Sequence, residues 1–189
     1  MPTAAFLAGL WAITRVIRNV PEGVIGELWG EAVFVPAAAV PATDRPASGT
    51  PTRRAPTNAT ATGATATGAA GAAATGATLA CRESGVLRFR GADYHAARVS
   101  LWRFPAPGRV EVMFEDGRPF HGFETDDPVA EHRCGADLYR VAYAFRETGW
   151  TSHWDVDGPQ KSYEMITHYR RPGVADGRPL DGWPVFQRP

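Results

Sequence analysis

The feature that most constrains this chain is a rhythm: short runs in which apolar and polar residues alternate, broken repeatedly by Gly, Pro, Asn and Asp. Side chains of a strand point alternately to its two faces, so such runs read as half-buried strands rather than helices. Leu10–Arg18 places Trp11, Ile13, Arg15 and Ile17 on one face, and Glu27–Val35 reads as a second strand. Thr78–Phe89 is a third, expected to be bent or bulged near Ser84-Gly85, and Tyr94–Phe104 a fourth, stopped by Pro105-Ala106-Pro107-Gly108. Arg109–Glu115 and Arg118–Glu124 flank Asp116-Gly117, a dipeptide whose backbone preferences suit a tight hairpin. That turn sets Phe114 against Pro119, Val112 against His121 and Val110 against Phe123. A second tight register, after Thr125–Pro128, sets His121 against His132 and Phe123 against Ala130. Asp137, Tyr139, Val141, Tyr143 and Phe145 alternate along the next strand. Thr151–Val156 and Lys161–Arg171 close the series around Asp157-Gly158-Pro159-Gln160, with Tyr163, Met165, Thr167 and Tyr169 sharing a face.

About nine or ten locally connected strands with almost no helical period predict an all-β fold, and specifically an antiparallel, lipocalin-like barrel of about 8–10 strands. A sandwich is the alternative; closure is favoured because it removes the open edges that invite aggregation. Composition breaks sharply between Ala37 and Thr78, where APTNATATGATATGAAGAAATGAT contains no aromatic residue. Its small side chains bury too little surface to offset the backbone entropy of ordering, so residues 37–77 read as a disordered Ala/Thr/Gly-rich insertion. Residues 1–36 and 78–171 then make one barrel domain, and 172–189 a Pro/Gly-rich tail whose Trp183, Val185 and Phe186 cap the domain or mark a partner surface.

The balance of 20 basic and 20 acidic residues, with no basic run longer than Arg53-Arg54 or Arg170-Arg171, argues against nucleic acid and anionic membrane as partners. The apolar stretch Ala4–Ile13 is broken by Gly9 and precedes its positive charges, Arg15 and Arg18, so it fits neither a signal peptide nor a spanning helix. A cytoplasmic protein is expected. Cys81 and Cys134 allow one bridge, but two unpaired thiols in a reducing compartment are the simpler expectation. Nothing in the sequence sets an oligomeric state.

Gly9-Leu10-Trp11 resembles the Gly-x-Trp opening of lipocalin-like proteins, which implies that Trp11 packs beside an arginine from the last strand, Arg170 or Arg171. A longer set of blocks covers the chain outside the insertion. It comprises Gly9-Leu10-Trp11 with Arg15, Asp116-Gly117-Arg118-Pro119-Phe120-His121, His132-Arg133-Cys134-Gly135-Ala136-Asp137-Leu138-Tyr139, Trp154-Asp155-Val156-Asp157-Gly158-Pro159-Gln160-Lys161, and Tyr169-Arg170-Arg171. This set resembles DUF6314, a family of uncharacterised, calycin-like proteins. The resemblance implies the barrel and brings no reaction with it.

Function rests on the inward face that the hairpin register assembles: Val112, Phe114, His121, Phe123, His132 and Cys134. One reading is structural, with the imidazoles hydrogen-bonded in a filled core. The favoured reading is a cavity for a small amphipathic or aromatic ligand. Its body would be desolvated against Trp11, Phe114, Phe123 and tyrosines such as Tyr139, and its polar end met by Arg15, His121 and His132. Asp137 and Glu164 are the candidate partners of Arg15, and Lys161 sits at the rim as a possible anion contact. Two cofactor alternatives follow from the same residues. Zinc would use His121, His132, Cys134 and Asp137, although His132-Arg133-Cys134 is not a standard spacing; haem would use His121, His132, His95 or His168. A catalytic alternative makes Cys134 a nucleophile, His132 or His121 its base and Asp137 the group that orients the imidazole. No oxyanion site accompanies that set, so the sequence favours binding over catalysis. A non-catalytic interaction protein is the remaining alternative.

Overall fold

The computed structural model describes residues 1–19, 21–37 and 76–173. The body of the low-complexity segment and the tail from 174 onward, with Trp183, Val185 and Phe186, lie outside the described residues. A short helix, α1 (Ala4–Leu7), precedes β1 (Gly9–Asn19), β2 (Gly23–Pro36), β3 (Ala77–Phe89), β4 (Ala92–Phe104) and β5 (Arg109–Phe114). Then come β6 (Pro119–Glu124), β7 (Val129–Cys134), β8 (Asp137–Phe145), β9 (Gly149–Gly158) and β10 (Lys161–Arg170). All ten strands form one sheet in the order β6-β5-β4-β3-β2-β1-β10-β9-β8-β7.

The sheet is an antiparallel meander whose first and last strands pair: Ala12 lies opposite Arg170 and Arg18 opposite Glu164. It curls, because residues from distant strands meet across its concave face. Trp102 of β4 lies 5.7 Å from Trp150 of β9, and Phe123 of β6 lies 4.7 Å from Tyr143 of β8, measured between ring centroids. The expected all-β, barrel-like architecture is therefore present.

Closure differs from the expectation at one place. The edge strands are β6 and β7, so the ladder that would set His121 against His132 does not form. The carbonyl of Pro128 accepts the Tyr143 N–H at 2.8 Å, which draws the chain onto β8, and His132 pairs with Tyr139 instead. Side chains bridge the seam: Phe120 of β6 packs edge-on to His132 of β7 at 4.8 Å.

The Asp116-Gly117 turn forms as the sequence indicates, with Gly117 at φ 85°, where a side chain would be strained. Its N–H donates to the Phe114 carbonyl at 3.0 Å, and the Asp116 carboxylate accepts from the Arg118 N–H at 3.1 Å. Val112–His121 and Val110–Phe123 pair as expected, but a shift after Val112 sets Met113, not Phe114, against Pro119. Strand β3 carries no bulge at Ser84-Gly85, since its register with β2 runs unbroken. The glycine answers a different need. Gly85 lies opposite Gly30, and a Cβ on Gly85 would stand 2.3 Å from the Trp29 carbonyl oxygen, while one on Gly30 would stand 2.0 Å from that of Ser84. The two strands approach too closely here for any side chain.

One end of the barrel is plugged. Thr3 caps α1 by accepting the Phe6 N–H, Leu7 is fully buried, and Phe6 packs against Trp11 and Phe145 at 5.5 and 6.1 Å. Trp11 Nε1 donates to the Leu7 carbonyl at 2.7 Å. The Arg171 guanidinium lies 3.8 Å over the Trp11 ring and donates to the Phe6 and Leu10 carbonyls, so the arginine implied for this tryptophan is Arg171. Cys81 is buried and Cys134 exposed, and both are free. Among the described residues no helix is long and apolar enough to cross a membrane.

The close approach of β2 and β3 makes a stability prediction. Gly85→Ala forces the strands apart and is expected to cost about 3 kcal/mol or more in urea unfolding, whereas Ser84→Ala beside it, on the exposed face, stays within about 0.5 kcal/mol.

Candidate functional site

The barrel interior holds a charged cluster as well as rings. Glu83 of β3 points inward and is 5% exposed. One of its carboxylate oxygens accepts from Arg15 Nη2 of β1 at 2.7 Å. The other accepts from Arg98 Nη2 of β4 at 3.0 Å and from the Tyr169 hydroxyl of β10 at 2.6 Å. Arg15 is completed by Thr167, whose hydroxyl accepts its Nε–H at 2.7 Å. Burial alone would push the Glu83 carboxyl up, but the Arg98 and Arg15 guanidiniums and the Tyr169 hydroxyl outweigh it and hold the group at about 2. The carboxylate is ionised at neutral pH. The partner of Arg15 is thus Glu83, not Asp137 or Glu164.

Beside this cluster lies a cavity of about 170 Å³, partly open to solvent. Its floor and walls are aromatic: Trp102, Tyr143, Tyr169, Trp154, Phe114 and Phe120. Trp154 and Phe120 stack nearly parallel, 9° apart at 5.4 Å, and Trp102 is fixed by donating from Nε1 to the Ser100 hydroxyl at 3.1 Å. Three kinds of polar group reach the wall: the Arg98 guanidinium, the hydroxyls of Ser100 and Ser152, and the His121–Tyr143 pair. The lining contains no carboxylate.

His121 and Tyr143 are both buried, and His121 Nε2 lies 2.7 Å from the Tyr143 hydroxyl. Burial, reinforced by the nearby Arg98 charge and by the His132 ring, lowers the imidazole to about 3, so the His121 ring is neutral at ordinary pH. Burial also raises the Tyr143 phenol well above its ordinary value, which keeps its proton. The pair therefore owns two polar hydrogens, one N–H and one O–H, and uses one of them between its members. If tyrosine donates, His121 keeps an Nδ1–H, and Nδ1 is buried without a partner among the described residues. If histidine donates, the phenolic hydrogen is the one left over. Either way the pair has one polar hydrogen left over.

The candidates drawn from the sequence fall into three places. His121 lines the cavity, and His132, half-buried across the seam, touches the cavity rings Phe114 and Phe120 at 5.9 and 4.8 Å. Trp11 belongs to the plugged end, while Phe123 packs under Trp102 and Tyr143, behind the cavity wall. Asp137, Tyr139 and Lys161 gather at the rim, where Lys161 Nζ donates to the Asp137 carboxylate at 2.6 Å and the Tyr139 hydroxyl at 3.0 Å. Cys134 is exposed at the end of β7. The hydrogen bond of His121 goes to Tyr143 and that of Asp137 to Lys161, so neither serves the Cys134 thiol. Among the described residues no group of three or more His, Cys, Asp or Glu is placed to hold a metal ion, and the set considered for zinc is not assembled. His95 and His168 alternate onto the outer face, and the cavity has room for one ring rather than a tetrapyrrole. Glu83, Arg98, Ser100, Trp102 and Trp154 were not among the sequence-derived site residues. The signal for the first two was available: the Arg90-Gly91 turn sets Phe89 against Ala92, and counting back sets Glu83 against Arg98.

Fold and site together define a small antiparallel barrel with an aromatic, donor-lined interior. Residues 49–171 match DUF6314, described as a family of unknown function, and the chain belongs to that family. The match includes the blocks from Asp116 to Arg171 but begins inside the low-complexity segment and leaves out Gly9-Leu10-Trp11 and Arg15, so the resemblance extends less far toward the N-terminus than those residues suggest. No curated protein matches the chain. Among solved structures it is similar to the S-type phycobiliprotein lyase CPES from Guillardia theta, at 8% identity over 89% of each chain with a TM-score of 0.47.

The two buried titrating groups predict acid sensitivity with a defined shape. Both have folded-state values below their ordinary ones, so each supplies stability that is present above the ordinary value and is lost as pH falls toward the folded one. For His121 that window runs from 6.5 to about 3, and for Glu83 from 4.5 to about 2. Thermal unfolding measured from neutral pH downward is expected to lose stability from near pH 6.5, by several kcal/mol in all. His121→Gln should remove most of the slope above pH 5, leaving the part from half-buried His168, whose imidazole is also lowered by burial and by Arg170, and the Glu83 component below it.

Proposed function

We propose that the protein binds a small, largely apolar molecule, about the size of one ring, in the barrel interior. The observation that carries this reading is the cavity itself. Protein interiors pack nearly without voids, and a space of about 170 Å³ among well-ordered rings leaves contacts unmade unless something fills it. A cavity of about 150 Å³ suffices for benzene, whereas drug-sized ligands occupy roughly 300–1,000 Å³, so the occupant is small. The rings of Trp154, Phe120, Trp102 and Tyr143 supply the apolar contact, and the polar groups of the lining orient the molecule. Binding, rather than bond-making, is the reading the polar groups support: the His121 Nε2 is held by Tyr143, and the Cys81 thiol is pushed up by burial and by the neighbouring Glu83 charge, away from its reactive form.

Titration of the full chain with benzyl alcohol, followed by the indole N–H resonances of Trp102 and Trp154, tests this. Saturable shifts of both are expected in the native protein. Ser152→Phe, which puts a ring into the same space, should weaken the probe by roughly tenfold or more while the fold persists. Indole signals that do not move at any attainable probe concentration would overturn the reading.

A further inference from the structure

We propose that the natural occupant is a small cyclic monocarboxylate, its carboxylate held by the Arg98 guanidinium beside the His121–Tyr143 pair. This rests on the reading of the cavity as a binding site and adds the charge of what it takes.

The argument begins with an imbalance. Two guanidiniums, Arg15 and Arg98, share the single carboxylate of Glu83, which leaves one positive charge without a protein counterpart in the cluster. The excess does not sit on Arg15. That side chain is 11% exposed, turned to Glu83 and Thr167, and does not reach the cavity wall. It sits on Arg98, which is 45% exposed, gives Glu83 one hydrogen bond from Nη2 and lines the cavity. At the rim, Lys161 is matched by Asp137. A low-dielectric pocket beside an unmatched cation favours an anion strongly.

The donor inventory agrees independently of charge. Arg98 can only donate, and when His121 donates to Tyr143 the phenolic hydrogen is left for a further acceptor. No carboxylate lines the cavity to accept those hydrogens. A group with several lone pairs and no hydrogens completes the set, and a planar carboxylate matches the guanidinium fork. A neutral alcohol or amide can place its hydrogens on the Ser100 and Ser152 hydroxyl oxygens but leaves the Arg98 charge uncompensated. An amine brings a second positive charge. The size of the cavity confines the remainder to one ring.

The experiment compares benzoate, benzamide, benzyl alcohol and benzylamine on the full chain at neutral pH, by the same indole resonances and by calorimetry. Benzoate is expected to bind about tenfold tighter than benzamide or benzyl alcohol, with benzylamine weakest. Arg98→Gln should abolish the preference while the neutral probes change less than about twofold, and Arg98→Lys should keep part of it. Benzoate no tighter than benzamide in the native protein overturns the proposal without any variant, so it stays testable if Arg98→Gln does not fold. A preference undiminished in folded Arg98→Gln overturns it as well. Neutral probes that bind where benzoate does not would sink the carboxylate alone, whereas failure of all four would sink the binding reading with it.

Discussion

The Glu83 carboxylate is the point on which the interior turns. It links β1, β3, β4 and β10 through Arg15, Arg98 and Tyr169, and two of those strands lie on either side of the pairing that closes the meander. A carboxylate this deep is costly to desolvate, and an ion pair that is merely buried is a poor source of stability. Its geometry suits specificity better. Slipping β3 by one residue against β4 would turn Glu83 to solvent and leave two guanidiniums facing each other inside the sheet. The cluster thus pins the register of the strands that carry the cavity wall, and it sets the sign of the field inside.

Much of the fold could be read from the chain because antiparallel meanders are built from local information. Period-two alternation marked the strands, and Asp116-Gly117 fixed the Val112–His121 and Val110–Phe123 pairs through a few residues of chain. What failed depended on interactions between segments. The Ser84-Gly85 glycine looks like a bulge when β3 is read alone and becomes a point of close approach only when Gly30 of β2 lies opposite. The seam between β6 and β7 was likewise hidden, because the decisive contact is the Pro128 carbonyl with Tyr143, a residue of the strand beyond.

The site was legible in the same partial way. His121 reached the cavity since its hairpin register was local, and His132 ended near the same rings although the pairing expected for it did not form. Arg15 of β1, singled out as an inward arginine, does lie in the interior cluster, whereas Arg98 of β4, which lines the cavity, was missed. The inward face of β1 is obvious from Trp11 and Ile13, whereas Arg98 sits in Ala96–Ser100, where few large apolar residues mark the inner side. Its position follows only from the count through Gly91, and its importance only from the fact that Glu83 is shared.

Sharing also decides which arginine is available. A guanidinium buried on all sides holds its carboxylate tightly and has little to offer a newcomer, since each hydrogen bond it gave up would have to be replaced in a low-dielectric interior. Arg15 is in that state. Arg98 keeps part of its hydration, so a ligand anion exchanges water for protein contacts there at modest desolvation cost, while the stacked Trp154 and Phe120 rings shield the contact once made. The same Glu83 that neutralises half the cluster prevents a worse outcome. With it absent, the Arg15 and Arg98 guanidiniums would repel each other across the sheet beside the cavity. With it present, the surplus is one charge, presented at one atom group, beside a surface built for one ring.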